Sequence, residues 1–170
     1  RWKGNLDKVL SAPTKTKVVK HHPALPYAGI GSFMEALTAR PGIAAQALQY
    51  CILTAGRSGE VRGATWREID LRKAEWTIPA ERMKAGKEHR VSLSPRALEI
   101  LQQLAIGHAD EIIFKAPRGG MLSDMTLGAV LKRMDVRVTV HGFRSTFRDW
   151  AGETTGFSRE VIEHALAHQL

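Results

Sequence analysis

The chain has 170 residues and a mass of 18.8 kDa, and 44% of its residues are hydrophobic, enough for one compact domain with a single sizeable core. Lys and Arg number 25 against 17 Asp and Glu, a formal charge of +8 and a pI near 10.0, which favours a polyanionic partner such as nucleic acid or an anionic membrane surface. The single cysteine, Cys51, sits in an apolar run and excludes an intramolecular disulfide framework; no window approaches the ~20 apolar residues of a membrane span, so secretion and membrane insertion are not expected and a reducing cytoplasm fits.

Residues 1–20 hold six Lys or Arg and one acid, Asp7, and so supply +5 of the +8. With Ser11, Pro13 and Thr14 they read as an extended basic lead-in, and residues 1–23 are expected to link to a preceding domain, since the chain opens on Arg-Trp without Met. Lys20-His21-His22 is read as part of this solvated basic segment. From Pro26 the pattern turns helical, with an apolar stripe at Phe33, Met34 and Leu37, a break at Arg40-Pro41-Gly42, and a strongly apolar helix from Ile43 to Ala55. Ser58 is placed to cap a short helix running through Trp66. Residues 74–79 alternate as a strand does, and His89 to Leu93 can pair with them across Met83-Lys84-Ala85-Gly86-Lys87, which makes a hairpin with two lysines near its tip. Ser94-Pro95 opens another helix, Ile112 to Phe114 is expected as a short strand, and helices are expected near Ser123–Met134, Thr139–Ala151 and Ser158–His168. The fold class is α+β: mainly helical with a small antiparallel sheet on one edge.

Four clusters can carry chemistry. In Gly56-Arg57-Ser58-Gly59-Glu60 a turn of small residues enters a helix, which places Arg57 beside free N–H groups where a phosphate would sit well; the plainer alternative is a surface arginine paired with Glu60. His141-Gly-Phe-Arg144 stacks an imidazole and a guanidinium on one helix face, able to bond two oxygens of one phosphate. Its alternative is an amphipathic helix with Phe143, Phe147 and Trp150 inward and Arg144 and Arg148 in water. Lys84 and Lys87 could each deliver a proton from the hairpin tip, and local sequence does not separate them. His164 and His168 have the i, i+4 spacing of half a metal site, but the Glu that zinc proteases place after the first His is absent and Cys51 is far away in the chain, so no metal is expected.

Taken in order, Arg57 in its Gly-Arg-x-Gly-Glu turn, Lys84 on a hairpin, His-x-x-Arg at 141–144 and Leu166-Ala167-His168 resemble the catalytic domain of the tyrosine recombinases, the phage integrase family. The wording is similar to integrases of prophages and genomic islands at Arg57–Trp66, Glu68–Leu71 and Trp76–Lys84, and the resemblance covers about residues 24–170. It implies that Arg57 and Arg144 clamp a scissile DNA phosphate, that His141 and His168 assist them, that Lys84 is the hairpin lysine, and that Glu60 supports Arg57. Lys15, Lys17, Lys20 and Lys87 would add contacts to DNA. Ser58 and Ser92 stand where many relatives have proline.

The family nucleophile is a tyrosine two to three helical turns beyond the position of His168, and the chain ends at Leu170. Its two tyrosines, Tyr27 and Tyr50, do not match that position. The expectation is therefore a catalytic scaffold, residues 24–170, truncated before its nucleophile and inactive in cleavage by itself. The resemblance also implies double-stranded DNA at attachment sites and other protomers of a recombination complex as partners, cytoplasmic action, and no nucleotide, metal or organic cofactor. The principal alternative is a non-catalytic DNA-binding module or regulator with a basic recognition helix. Here, however, the relevant cations are spread over turns and a hairpin, as a phosphate pocket requires.

Overall fold

A computed structural model describes residues 22–168; the lead-in lysines Lys15, Lys17 and Lys20 lie outside the described residues. A 3-10 turn at Tyr27–Gly29 enters helix α1 (Ile30–Thr38), which buries Phe33 and Leu37. Gly42, at a φ of 102° that L side chains rarely adopt, turns the chain into α2 (Ile43–Leu53). Ala47, Leu48 and Tyr50 of α2 are fully buried, because this helix is covered by α1 and by three later helices. Those are α3 (Ser58–Arg62), α4 (Pro95–Gln102) and α5 (Thr126–Arg133). An all-round apolar sequence such as Ile43–Leu53 is stable only in such a central position. Ser94 caps α4 by accepting from the Ala97 N–H at 3.3 Å, with Pro95 in the first turn, where its missing N–H costs nothing.

Strands β1 (Ile69–Asp70), β2 (Glu75–Ile78) and β3 (His89–Ser92) form one antiparallel sheet in the order β1-β2-β3. The register pairs Trp76 with Val91 and Ile78 with His89, and places Trp76 and Ile78 on the buried face. Tyr50 bridges sheet and helices: its ring centroid is 5.4 Å from Trp76 and 5.4 Å from Phe114. The chain closes with α6 (Gly142–Thr154) and α7 (Arg159–Ala165), packed on each other. The α+β architecture with its edge sheet is therefore as expected.

Several local expectations need correction. The helix after Arg57 stops at Arg62, and Trp66 belongs to a separate 3-10 turn, Trp66–Glu68. Arg57, not Ser58, stands at the N-cap, where its own N–H donates to Glu60 Oε2 at 2.8 Å. Residues 112–114 form no strand; Ile112 makes one isolated bridge to Thr65, too short a pairing to propagate a ladder. The third strand is β1 instead. Thr139 does cap the entry to α6 by accepting from the Gly142 N–H at 3.0 Å, but the helix runs to Thr154. Arg144 is 5% exposed and Trp150 is 44% exposed, so the amphipathic pattern that leaves Arg144 in water is inverted at both positions.

Candidate active site

Two helix ends form the floor of a basic cluster. At the end of α2, Ala55 adopts a φ of 48° and the Gly56 N–H reaches back to the Cys51 carbonyl at 3.1 Å. At the end of α7, Ala167 adopts a φ of 50° and the His168 N–H reaches back to the Glu163 carbonyl at 2.9 Å. Both are six-to-one closures around a left-handed residue, a common way to end a helix, here built on alanine where glycine is usual. Each turn aims a carbonyl at an arginine.

Arg144 projects from α6 into the gap between the turns. Its Nη1 donates to the Ala55 carbonyl, its Nη2 donates to the Leu166 carbonyl, and Nη2 lies 3.2 Å from His168 Nε2. Its Nε is buried without a partner among the described residues, so the guanidinium retains donor capacity beyond what those residues satisfy. Burial, and next the positive charge of Arg57, lowers its pKa from the ordinary guanidinium value, with Glu60 opposing. Arg57 approaches from the start of α3: Nη1 donates to Glu60 Oε1 at 2.7 Å and Nη2 donates to the Ala167 carbonyl at 3.2 Å. The two readings of Arg57 thus coexist, since it is both the partner of Glu60 and a wall of the cluster.

Arg57, Lys84, Ala85, Ala167 and His168 line an open cleft of about 320 Å³. Lys87 lines an adjoining cleft of about 480 Å³ with His89, His164 and again His168. The geometry thereby separates the two lysines that local sequence left equivalent, with Lys84 on the arginine side. His141 lies at the surface just before α6, 4.8 Å from His22 between ring centroids. Partial burial, then the charges of Arg144, His22, Arg57 and His168, hold its imidazole below the ordinary range. Arg57, Lys84, Arg144 and His168 are thus drawn together, with His141 at the edge.

Other candidates fall away. His164 faces His89, with ring centroids 6.1 Å apart, rather than forming a ligand pair with His168, and no metal-binding group of three His, Cys, Asp or Glu exists among the described residues. Cys51 is buried, which pushes its thiol up to about 12 and makes it a packing residue. Neither tyrosine faces the cluster. Tyr50 is fully buried, and the Tyr27 hydroxyl donates to Glu153 Oε2 at 2.8 Å, a bond that raises its pKa.

Glu163 has no counterpart in the sequence reading. Its buried carboxylate accepts from His168 Nδ1 at 2.5 Å through Oε2 and pairs with Arg148 Nη2 at 2.7 Å through Oε1. The hydrogen bond from His168 holds Glu163 below the ordinary carboxylate range. A spacing of five residues is not a helical neighbour pair; the contact exists because the chain reverses at Ala167, and no glycine marks that reversal.

A helical domain with an edge sheet and a cluster of arginine, lysine and histidine at converging helix ends matches the catalytic fold of the tyrosine recombinases. The chain belongs to the phage integrase family, whose pattern matches residues 30–169. It is 33% identical to the integrase of Enterobacteria phage P4, over 94% of this chain and 41% of that protein. It is 34% identical to the prophage integrase IntZ of Escherichia coli K12, again over 94% of this chain and 41% of the relative. The chain thus spans about two fifths of the length of these relatives. Among solved structures, the Tn1549 transposon integrase in complex with transposon right end DNA superposes with a TM-score of 0.68 at 14% identity, over 99% of this chain and 63% of that one. A lambda integrase tetramer bound to a Holliday junction gives 0.66 at 18% identity, over 92% and 50%.

Proposed function

We propose that this chain is the strand-cleaving core of a site-specific DNA recombinase that integrates or excises a prophage or genomic island in the cytoplasm. The observation that carries the proposal is the convergence of Arg57, Arg144 and His168 on one turn beside the cleft that Lys84 lines. A phosphodiester attacked by a tyrosine oxygen gathers negative charge on its nonbridging oxygens, and fixed guanidinium donors stabilise that charge without a metal. Arg144 and Arg57 are held by backbone carbonyls, so they need little reorganisation when charge develops. Lys84 is positioned to protonate the departing 5′ oxygen, His168 and His141 assist at the phosphate, and Glu60 steadies Arg57. The product is a 3′-phosphotyrosyl link, which a 5′ hydroxyl of another strand reopens to exchange partners.

The Tyr50 side chain is fully buried and the Tyr27 hydroxyl is engaged by Glu153, so the attacking tyrosine is assigned to sequence outside these 170 residues, and these residues alone are inactive in cleavage. Relatives whose solved forms include a tetramer on a Holliday junction support action within a DNA-bound assembly of protomers. Lys87, with Lys15, Lys17 and Lys20 of the lead-in, extends the DNA contacts.

The test is a duplex carrying the attachment site, nicked near the scissile phosphate so that cleavage traps the covalent adduct. The full native protein forms a protein–DNA band that survives denaturation, while the 170-residue chain and the full-length Arg57→Ala and Arg144→Ala variants do not. A band from the 170-residue chain that vanishes on Tyr27→Phe or Tyr50→Phe would place the nucleophile elsewhere. A full-length protein that binds the site without any band would favour a binding module.

A further inference from the structure

Three charged side chains that the recombinase chemistry leaves without a task meet behind His168. Glu163, 8% exposed at its side chain, lies between His168 Nδ1, Arg148 Nη2 and, at 3.9 Å, Arg159 Nε. The opposite ring nitrogen, Nε2, faces Arg144 Nη2 at 3.2 Å. A guanidinium only donates hydrogen bonds and an ionised carboxylate only accepts them. The ring between them must therefore donate at Nδ1 and accept at Nε2. That assigns one tautomer to the unliganded site, with its single proton on the Glu163 side.

We propose that Glu163 is the positioning residue of His168: it holds the Nδ1 proton, and its negative charge lets Nε2 take up a second proton from solvent when a phosphate-like anion enters beside Arg57 and Arg144. The proposal rests on the reading of this cluster as a phosphate site. In the empty site Nε2 is a lone pair directed at Arg144 and has no proton to offer an anion. Once an anion oxygen draws on the Arg144 donors, Nε2 can turn its interaction to that oxygen, but only as N–H. The incoming proton goes to Nε2, Nδ1 keeps its own, and Glu163 remains ionised as the counter-charge. Most of the other groups near the ring oppose this step. Arg144 from α6, Arg57 at the start of α3, Lys84 and Lys87 from the hairpin and His141 are cations or become so, and His89, His164 and one carboxylate, Glu88, line the adjoining cleft. Among the described residues Glu163 is the carboxylate that bonds the ring, and Arg148 and Arg159 fix its orientation. Anion binding is thereby coupled to the uptake of one proton.

The experiment uses the protein labelled with 15N-histidine and titrated with sulfate, which does not itself change protonation between pH 6 and 8. In the parent, His168 carries its proton on Nδ1 without sulfate and on both nitrogens with it. The sulfate dissociation constant falls as pH is lowered, by up to about 10-fold per pH unit for one linked proton. Glu163→Ala moves the His168 proton toward Nε2 and removes most of that pH dependence. Glu163→Gln retains a carbonyl acceptor for Nδ1 and the packing against Arg148, so the variant stays folded and keeps the tautomer while the pH dependence weakens. A pH dependence in Glu163→Gln equal to the parent's, or a parent ring protonated at Nε2 alone, overturns the proposal. Arg57→Ala and Arg144→Ala report on the underlying reading: if they leave sulfate affinity unchanged, the anion does not bind at this cluster and the phosphate site itself fails. If they weaken it while the Glu163 variants behave as the parent, only the role of Glu163 fails.

Discussion

The turns that end α2 and α7 have the same backbone geometry and opposite surroundings. Around Ala55 the chain is sealed: Ala55 is 6% exposed, Thr54 Oγ1 donates to the Tyr50 carbonyl at 2.7 Å, Cys51 Sγ donates to the Gly56 carbonyl at 3.3 Å, and Gly56 lies against Val61 and Trp76. Around Ala167 the seal is partial: Glu163 and Leu166 are buried, but Ala167 is half-buried and the His168 side chain is 39% exposed. Arg144 spans both turns; Arg57 touches only the second. Half of the cluster is thus cast in the core and half is held by a peripheral helix, so one arginine is a structural tie as well as a charge and the other is mainly a charge.

The largest expected effect tests that division. Arg144→Ala and Arg57→Ala should each reduce covalent adduct formation by the full native protein by ~10²–10³-fold or more, the usual loss when a donor to transition-state charge is removed. Their stabilities should part. Arg144→Ala leaves the Ala55 and Leu166 carbonyls unpaired in buried surroundings and should cost ~1–3 kcal/mol in urea unfolding. Arg57→Ala, whose side chain is 26% exposed and whose backbone N–H still bonds Glu60 Oε2 while Oε1 loses its partner, should cost less, ~1 kcal/mol. Equal stability losses would erase the distinction between the two turns.

Next in size is the helix that carries Arg144. A Cβ on Gly142 would lie 2.1 Å from the Pro23 carbonyl oxygen and 3.0 Å from Ala24 Cα, because residues 23–24 cross the start of α6 and Pro23 accepts from the Thr139 N–H at 3.0 Å. Gly142→Ala should therefore destabilise by ~1–3 kcal/mol through overpacking against backbone. In the same helix nothing lies within 4 Å of a Cβ at Gly152, and Gly152→Ala should stabilise by up to ~1 kcal/mol through helix propensity. Melting curves of the two variants check the opposite signs, and a shared sign would mean that the contact at Pro23 does not hold α6 in place.

Much of this was legible before any coordinates, and the gaps have physical causes. Periodicity located the helices because their apolar faces are continuous, as at Phe33 and Leu37. Strand β1 is not legible in sequence because two residues carry no alternation, and the apolar triplet at 112–114 between turns resembles a strand without forming one. The burial of Arg144 runs against amphipathic logic and follows only from the two carbonyls that receive it. Those carbonyls depend on left-handed alanines at 55 and 167, and alanine gives no signal of a positive φ. Glu163 was invisible for the same reason, since its contact with His168 exists only after the chain has turned at Ala167.

The second turn should also respond to pH through His89. Burial, opposed by the Glu60 charge, holds the His89 imidazole below its ordinary range, and its ring faces His164 of α7 with centroids 6.1 Å apart. A depressed histidine favours the neutral form in the folded state. Its contribution to stability is therefore complete above the unfolded value, roughly 6.5, and is lost as pH falls below it. Urea midpoints at pH 7.5 and 5.5 should differ less in His89→Gln than in the parent, and an unchanged difference would show that His89 does not titrate against folding.

The smallest effect compares the turns directly. Glycine at position 55 or 167 relieves the strain of a left-handed alanine, ~1 kcal/mol, against an unfolded-state entropy cost of ~0.4–1 kcal/mol. What remains is the methyl group. At Ala55 it is buried, and its loss from a close-packed site removes up to ~0.8 kcal/mol of apolar burial, so Ala55→Gly should be neutral or slightly destabilising. At Ala167 the methyl is half in solvent and less burial is lost, so Ala167→Gly should be stabilising by a few tenths of a kcal/mol. Because the Ala167 carbonyl still receives Arg57, adduct formation by Ala167→Gly should match the parent. Urea unfolding of the pair, fitted with a common slope, measures the difference. If Ala167→Gly loses more stability than Ala55→Gly, the end of α7 is packed as firmly as the end of α2, and the cluster has two fixed halves instead of one.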